Sequence, residues 1–300
     1  MKIFFMCTHP KQGTGYARVA NKLTNHLASL PGVEVVYFAF QNFKGYEIKD
    51  RFIDPRIRFL DALELDPDST VGFGDNVILP SIIKEKPDAL FIYYDMNVVH
   101  DIMKKIPSEY MPLKKYIYLD IVYPWENIYG FEILKEYKFD HIWTFIDTWT
   151  RHMIDDLKFD PSKVSTMVHG IDFDRFVDIS SGEAKVKAGF KPDDYLVVSM
   201  NRNSARKMWD TTINAFLEFL QREQMNPRIK LFCGCLPHYE RGYNIPMTIR
   251  SECMRRGIDF DHVSDHHIFI SAKPLQLTDA AVNNIYNAGD VGLTTTRGEG

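Results

Sequence analysis

Several things are scarce or missing in these 300 residues, and each absence excludes a class of protein. No run of about 18 apolar residues occurs, so no segment reads as a membrane-spanning helix. The first residues, Met-Lys-Ile-Phe-Phe-Met-Cys-Thr, lack the long apolar stretch and cleavage site of a secretory signal and read as a first strand. Cysteine is sparse: Cys7, Cys233, Cys235 and Cys253 are scattered, which points to reduced thiols and a cytoplasmic setting. Cys233 and Cys235 fall on one face of an expected strand, so packing is expected of them rather than metal binding. Charge of one sign is also lacking, and a net charge of −4 argues against a general nucleic-acid binder. Neither G-x-G-x-x-G nor a Walker loop is present, which disfavours a nicotinamide dehydrogenase, and there is no internal repeat or low-complexity tract.

What is present is an alternation of short apolar runs with longer amphipathic segments, the pattern of parallel sheets with crossover helices. In the first half, residues 2–7, 34–40, 89–94, 116–119, 141–145 and 164–168 read as strands. Val19, Leu23, Leu27 and Leu30 recur at helical spacing in 16–30, and 75–86 and 147–158 read as helices too. Residues 178–194 lose this periodicity and carry Ser-Ser-Gly, Gly189 and Pro192, so a linker is expected there. A second alternation follows, with strands at 195–200, 228–233, 267–271 and 291–295 and helices at 208–224, 247–256 and 279–287. The expected fold is therefore α/β: two Rossmann-like, doubly wound domains facing across a cleft, residues 1–177 and 178–300. Four strands in the second domain, where five or six are usual, lead us to expect that further residues complete it.

Polar residues collect where such sheets bind ligands, at the C-terminal ends of strands. Gly13-Thr-Gly15 lies between the first strand and a helix, where bare amides attract an anion, although an ordinary glycine-bearing turn is equally consistent. Asp95, Asp120 and Asp147 follow three further strands, and Asp120 can either orient a hydroxyl or cap the next helix. His169-Gly170-Ile171-Asp172 is a tight turn in which His169 either contacts a ligand or closes the turn. In the second half Gly234 follows one strand, and Asn201-Arg202-Asn203-Ser204-Ala205-Arg206-Lys207 follows another. Those three cations suit a diphosphate leaving group: arginine forks onto two oxygens and lysine adds a point charge. Near the end, Gly298-Glu299-Gly300 puts a carboxylate between glycines after a β-branched run, in position to accept hydrogen bonds from sugar hydroxyls. Two segments imitate metal motifs. Asp172-Phe173-Asp174 and Asp259-Phe260-Asp261 read as turns, and residues 261–267, rich in His and Asp, read as a solvated turn before a strand.

Together these residues resemble the retaining glycosyltransferases of family 4, which have the GT-B fold. The glycine-rich loop is matched by Gly13-Thr-Gly15, and the "hGVD…F" turn by His169–Asp172 with Phe176. The Gly-Arg-(four residues)-Lys-Gly phosphate motif is matched by Arg202 and Lys207, with Asn201 and Met208 in place of its glycines. Asp210 and Ala215-Phe216 continue that pattern, and "lYnaaDv…EGfG" is matched by Ile285–Val291 with Gly298–Gly300. The resemblance implies transfer of a hexose, with retention, from a nucleotide-diphosphate sugar such as GDP-mannose or UDP-glucose to a glycan or other hydroxyl acceptor, without a cofactor or metal ion. It implies that Arg202 and Lys207 hold the donor diphosphate and that Glu299 touches the transferred sugar; Gly13, Gly15, His169, Arg206, Gly234 and Gly298 are expected to line the donor site with them. A homodimer is compatible with it. The family's second glutamate would lie beyond Gly300. A sugar-nucleotide epimerase of the same fold and a non-catalytic nucleotide-sugar module are the alternatives, the second favoured by the loss of both glycines. The rings of Tyr116–Phe131, among them Tyr123, Trp125 and Tyr129, are candidates for stacking on a sugar or for core packing.

Overall fold

The computed structural model describes residues 1–45, 47–48, 51–69, 71–121, 128–271 and 277–297. The chain divides into two compact units, one of Met1–Gly170 and a second that starts at Ile171. The division falls between Gly170 and Ile171, upstream of the boundary expected after Val177 and in a segment, His169–Asp172, that was expected to be a tight turn and is instead irregular, the turn following at residues 173–175.

The first unit contains β1 (Lys2–Thr8), α1 (Gly15–Ser29), β2 (Glu34–Phe40), β3 (Arg58–Asp61), α2 (Ala62–Leu65), α3 (Ile78–Glu85), β4 (Ala89–Asp95), α4 (Met96–Lys104), β5 (Lys114–Asp120), α5 (Ile128–Glu136), β6 (His141–Thr144), α6 (Asp147–Arg151) and β7 (Val164–Thr166). Its strands form one parallel sheet in the order β3-β2-β1-β4-β5-β6-β7. The order reverses between β1 and β4, and the crevice beyond the carboxyl ends of such strands is where doubly wound sheets bind ligands. Phe4 and Phe5, which point to opposite faces of β1, are both fully buried, as expected of a parallel strand covered on both sides. Phe5 stacks on Phe91 at 5.1 Å and Phe91 on Trp143 at 5.6 Å, so aromatic pairs run across the sheet.

β3 has no counterpart in the sequence expectation, because only Phe59 and Leu60 are apolar in it. It forms because Asp61 caps α2, accepting from the amides of Leu63 and Glu64, and also accepts from the Asn42 amide. The helix expected over 147–158 is α6 followed by a π-turn over His152–Asp156.

The second unit contains α7 (Ser181–Lys187), β8 (Tyr195–Ser199), α8 (Trp209–Arg222), β9 (Ile229–Cys233), α9 (Ile245–Arg256), α10 (Phe260–His266), β10 (Ile268–Ile270), α11 (Asp279–Ala288) and β11 (Val291–Gly292). Its parallel sheet has the order β10-β9-β8-β11. α9 starts two residues before its expected position because Asn244 caps it and Pro246 occupies its first turn. Gly257, at φ +67°, ends it in the left-handed conformation that glycine adopts without strain.

Two expectations are corrected here. Residues 178–194 are not a linker: α7 packs there, with Ala184 fully buried among Leu196, Val198, Ile285 and Ala288. Apolar periodicity missed it because Lys185 occupies a buried position, 5% exposed, that a polar count reads as solvent-facing. Residues 261–267 are not a turn either. Asp259 caps α10, and His267 is fully buried, one ring nitrogen within 2.8 Å of the Ile229 carbonyl. Asp172–Asp174, by contrast, is a turn: the amides of Arg175 and Phe176 donate to the Asp172 carbonyl.

All four cysteines are buried and unpaired. Burial pushes the Cys233 thiol well up and that of Cys235 to about 12, so both stay protonated as packing groups. Among the described residues no helix is long and apolar enough to cross a membrane, and no cluster of three or more His, Cys, Asp or Glu could hold a metal ion.

Candidate functional site

Arg202, Arg206 and Lys207 sit on the turn that leads from β8 into α8. Ala205–Lys207 form one 3-10 turn, Met208 adopts the left-handed conformation (φ +48°, ψ +54°), and Trp209 opens α8. The backbone of this turn is clamped from several sides. Asn203, 2% exposed, donates to the carbonyls of Leu236 and Tyr243 and accepts from the Tyr243 amide, all at 2.8 Å. The buried Trp209 indole donates to the Arg202 carbonyl at 3.2 Å. Thr295 donates to the Met208 carbonyl at 2.9 Å and pairs with the Thr212 hydroxyl at 2.7 Å. The Arg297 amide donates to the Arg206 carbonyl at 3.0 Å, so the strand-end segment 293–297 runs alongside the cationic turn. A turn held this way presents its charges without reorganising when an anion arrives.

Their side chains differ in setting. Arg202 is exposed, donates to the Tyr239 hydroxyl at 3.1 Å and lies 5.6 Å from that ring's centre, a cation–π distance. Arg206 is half-buried, and Lys207 is 7% exposed, far more enclosed than a solvated basic loop requires. Gly234 donates its amide to the Ser199 carbonyl at 2.8 Å. A Cβ on Gly234 would come within 2.0 Å of the Met200 sulfur, so close packing at the ends of β8 and β9 is one reason for glycine there. Gly298 and Glu299 lie outside the described residues.

Met208 stands at one of the two positions where the resembled phosphate motif has glycine. The position where the pattern has glycine is left-handed in this chain, a conformation that costs a non-glycine residue roughly 1–2 kcal/mol. Glycine would lose part of that gain to the entropy of its unfolded chain. Met208→Gly is therefore expected to stabilise the second unit by up to about 1 kcal/mol, read from the denaturant midpoint at an unchanged slope. Loss of stability would show that the Met208 sulfur, 3.2 Å from Arg297 Nε, matters more than the backbone strain.

In the first unit Thr14 caps α1 by accepting from the Ala17 amide, so Gly13-Thr-Gly15 delivers the N-terminus of a 15-residue helix to the sheet's carboxyl edge. The preceding loop is locked by Arg51, 7% exposed, which donates to the carbonyls of Pro10 and Gln12 at 2.8 and 2.7 Å. Gly15 has no left-handed φ, and a Cβ there would meet nothing within 4 Å, so neither conformation nor packing demands a glycine.

Register places Asp95 directly beside Asp120 at the ends of β4 and β5. Asp95 caps α4 through the Val98 amide; burial raises its pKa, with a further push from Asp120. Asp120 accepts from the Tyr16 hydroxyl at 2.6 Å. Tyr16 also stacks on Tyr94, with ring centres 4.4 Å apart and planes within 8°, and tilts against Tyr93 at 5.1 Å. His169 packs on Phe145 at 4.0 Å, its Nε2 lies 3.4 Å from the Tyr93 hydroxyl, and the desolvation lowers its pKa. Asp120 and His169 are thus bridged by tyrosines, and Gly15 adjoins them through Tyr16. Tyr16 and Tyr239 were not singled out from sequence, and Asn203 was named only as part of the 201–207 cluster, without a role. Tyr16 carried a signal as the residue that follows the second glycine, and Tyr239 carried none.

Tyr118 and Phe131 are core, and Tyr129 is 77% exposed, while Tyr123 and Trp125 lie outside the described residues.

No protein-family model and no curated protein sequence matches the chain. Solved structures do match in fold. A glycosyltransferase from Rickettsia africae is 13% identical with a TM-score of 0.61, over 98% of this chain and 73% of that one. Sucrose-phosphate synthase from Thermosynechococcus elongatus is 11% identical with a TM-score of 0.64, over 97% and 74%. Anabaena HepE, solved in complex with UDP and glucose, is 12% identical with a TM-score of 0.64, over 99% and 74%. At these identities the likeness concerns the fold: two Rossmann-like units in one chain, the GT-B architecture, shared with all three structures, the first of which is described as a glycosyltransferase.

Proposed function

We propose that this chain is a glycosyltransferase that moves a hexose, with retention at the anomeric carbon, from a nucleotide-diphosphate sugar to a hydroxyl of a glycan or other acceptor. The carrying observation is the clamped turn after β8, which presents Arg202, Arg206 and Lys207 at the ligand-binding edge of the second sheet. As the bond from the anomeric carbon to the donor phosphate oxygen breaks, negative charge grows on the diphosphate, and Arg202 and Lys207 stabilise it. The acceptor oxygen bonds to the same carbon, and its proton passes to the departing phosphate oxygen. On this reading Gly13, Gly15, Gly234 and Gly298 let backbone approach the donor, His169 lies near the sugar, and Glu299 accepts from its hydroxyls. Asp120 orients the acceptor hydroxyl. Arginine and lysine supply the positive charge, so the scheme requires no metal ion or cofactor. Four buried free thiols accord with a reducing cytoplasm.

Both UDP-glucose and GDP-mannose fit the scheme. UDP-glucose is the first donor to test, because HepE binds UDP and glucose on the same fold. The test is release of nucleoside diphosphate from a panel of sugar nucleotides, with and without carbohydrate acceptors. Acceptor-dependent release supports transfer. Epimer formed without an acceptor, or no release from any donor, rejects it.

Gly15 offers a sharper check of the anion loop. Gly15→Ala is expected to leave the melting temperature unchanged or slightly raised, since alanine is the better helix former by about 0.5–1 kcal/mol. Calorimetry should show weaker donor binding, because a methyl group now stands where the phosphates approach. Unchanged affinity would remove Gly15 from the site.

A further inference from the structure

We propose that Tyr16 is a positioning residue that fixes the Asp120 carboxylate for its work on the acceptor hydroxyl. The inference rests on the reading of Asp120 as an acceptor-side group and extends it to a residue on another element.

The geometry leaves the phenol one place to be. Its ring is stacked on Tyr94 and braced by Tyr93. Tyr94 is itself held, donating to Gln41 at 3.0 Å and accepting from the Thr8 hydroxyl at 3.3 Å. Tyr93 stacks on Tyr118 at 4.9 Å, so the brace continues into β5, the strand that carries Asp120. From this platform the Tyr16 hydroxyl reaches Asp120 Oδ2 at 2.6 Å, the length of a charge-assisted O–H···O bond. α1 therefore sets the plane of a carboxylate at the end of a strand two positions away in the sheet.

The second consequence is electrostatic. Among the described residues, the groups facing Asp120 include the Tyr16 hydroxyl from α1, Asp95 and the Tyr93 hydroxyl from β4, and Tyr118 from its own strand. Asp95 is a like charge directly across the strand pair, and it opposes ionisation of its neighbour. A phenol donating to Asp120 offsets that repulsion, because a donor favours the charged form. Burial and the nearby Asp120 push Tyr16's own pKa far up, so the phenol remains a donor throughout the working pH range.

Tyr16→Phe in the full chain tests this, since it keeps the ring and removes only the hydroxyl. With donor and acceptor saturating, kcat is expected to fall about tenfold, the scale of one hydrogen bond, with the donor KM unchanged. The acid limb of the pH profile of kcat/KM should move to higher pH, because Asp120 loses its donor while Asp95 remains. In an Asp120→Asn background Tyr16→Phe should add nothing. Wild-type kinetics in Tyr16→Phe, or an equal loss with Asp120 already neutral, would overturn the proposal, as would a lowered melting temperature alone. If the wild-type protein turns over no sugar nucleotide, the functional reading fails separately. The pairing is then decided by carbon-13 NMR of labelled aspartate carboxyls. The signal missing in Asp120→Asn should titrate at higher pH in Tyr16→Phe, and an unchanged midpoint refutes the pairing.

Discussion

Lys207→Ala is expected to lower sugar-nucleotide turnover by about 100- to 1,000-fold, the loss that follows when one donor to a developing oxyanion is removed. The effect should fall on kcat more than on the donor KM, because the diphosphate gains charge only as the glycosidic bond breaks. Lys207 is the more informative of the two main cations because its side chain is enclosed while that of Arg202 is exposed. A charge in an enclosed setting is screened less by water and acts more strongly on a neighbouring anion. Lys207→Met, which keeps the apolar stem and removes the charge, separates chemistry from packing. Both variants should lose turnover, and the alanine variant, which also loses the buried stem, should lose more stability than the methionine variant. Steady-state kinetics with thermal melts reads both effects. Full turnover in Lys207→Met with an intact melt would remove this residue from the diphosphate site.

Arg202→Lys makes the same point through geometry. Lysine keeps the charge but loses the planar fork and the stacking on Tyr239, so a partial loss is expected rather than rescue.

The largest effect on stability should come from Lys185→Ala. Lys185 is 5% exposed, and its ammonium lies 2.8 Å and 2.9 Å from the two oxygens of Asp290. Asp290 also accepts from the Leu196 amide at 2.7 Å, so one carboxylate ties α7 to β8 beside β11. Removing the lysine leaves the Asp290 carboxylate, on an exposed residue, with the Leu196 amide and water but no counter-ion. Breaking a fully buried pair costs about 3–5 kcal/mol and an exposed one about 0–1 kcal/mol, so with Lys185 buried and Asp290 exposed the loss is expected between these limits. Chemical denaturation of the single and double variants checks this. Lys185→Met with Asp290→Asn should recover much of the loss, since neither group is then left charged and unpaired. If Lys185→Ala unfolds with the wild-type midpoint, the pair is incidental. Asp290 is also the acidic residue of the segment resembling "lYnaaDv", and its hydrogen bonds account for that residue by packing.

The alternation of apolar runs marked most of the parallel strands, because a strand buried on both faces must be apolar along its length. It did not mark β3, nor the helices α2, α4, α5, α7 and α10. In β3, in α7 and directly after α10 a polar residue takes part in the packing: Asp61 as a cap, Lys185 in an ion pair and His267 on a backbone carbonyl. A polar residue satisfied by a distant partner looks the same in sequence as one facing water. The candidate site divides in the same way. Arg202 and Lys207 were legible from their place after a strand, whereas Asn203, which clamps their turn, and Tyr239, which holds Arg202, were not. Their partners are some 30 to 40 residues away along the chain.

Local order along the chain was enough to show two α/β units and to put polar residues at strand ends, since periodicity and turn chemistry act over a few residues. Strand order, the register that sets Asp95 against Asp120, the reach of Tyr16 across the sheet and the left-handed turn at Met208 arose only on folding. Each depends on contacts between elements far apart in sequence, and hydrophobic pattern carries no record of which distant partner a polar group will find.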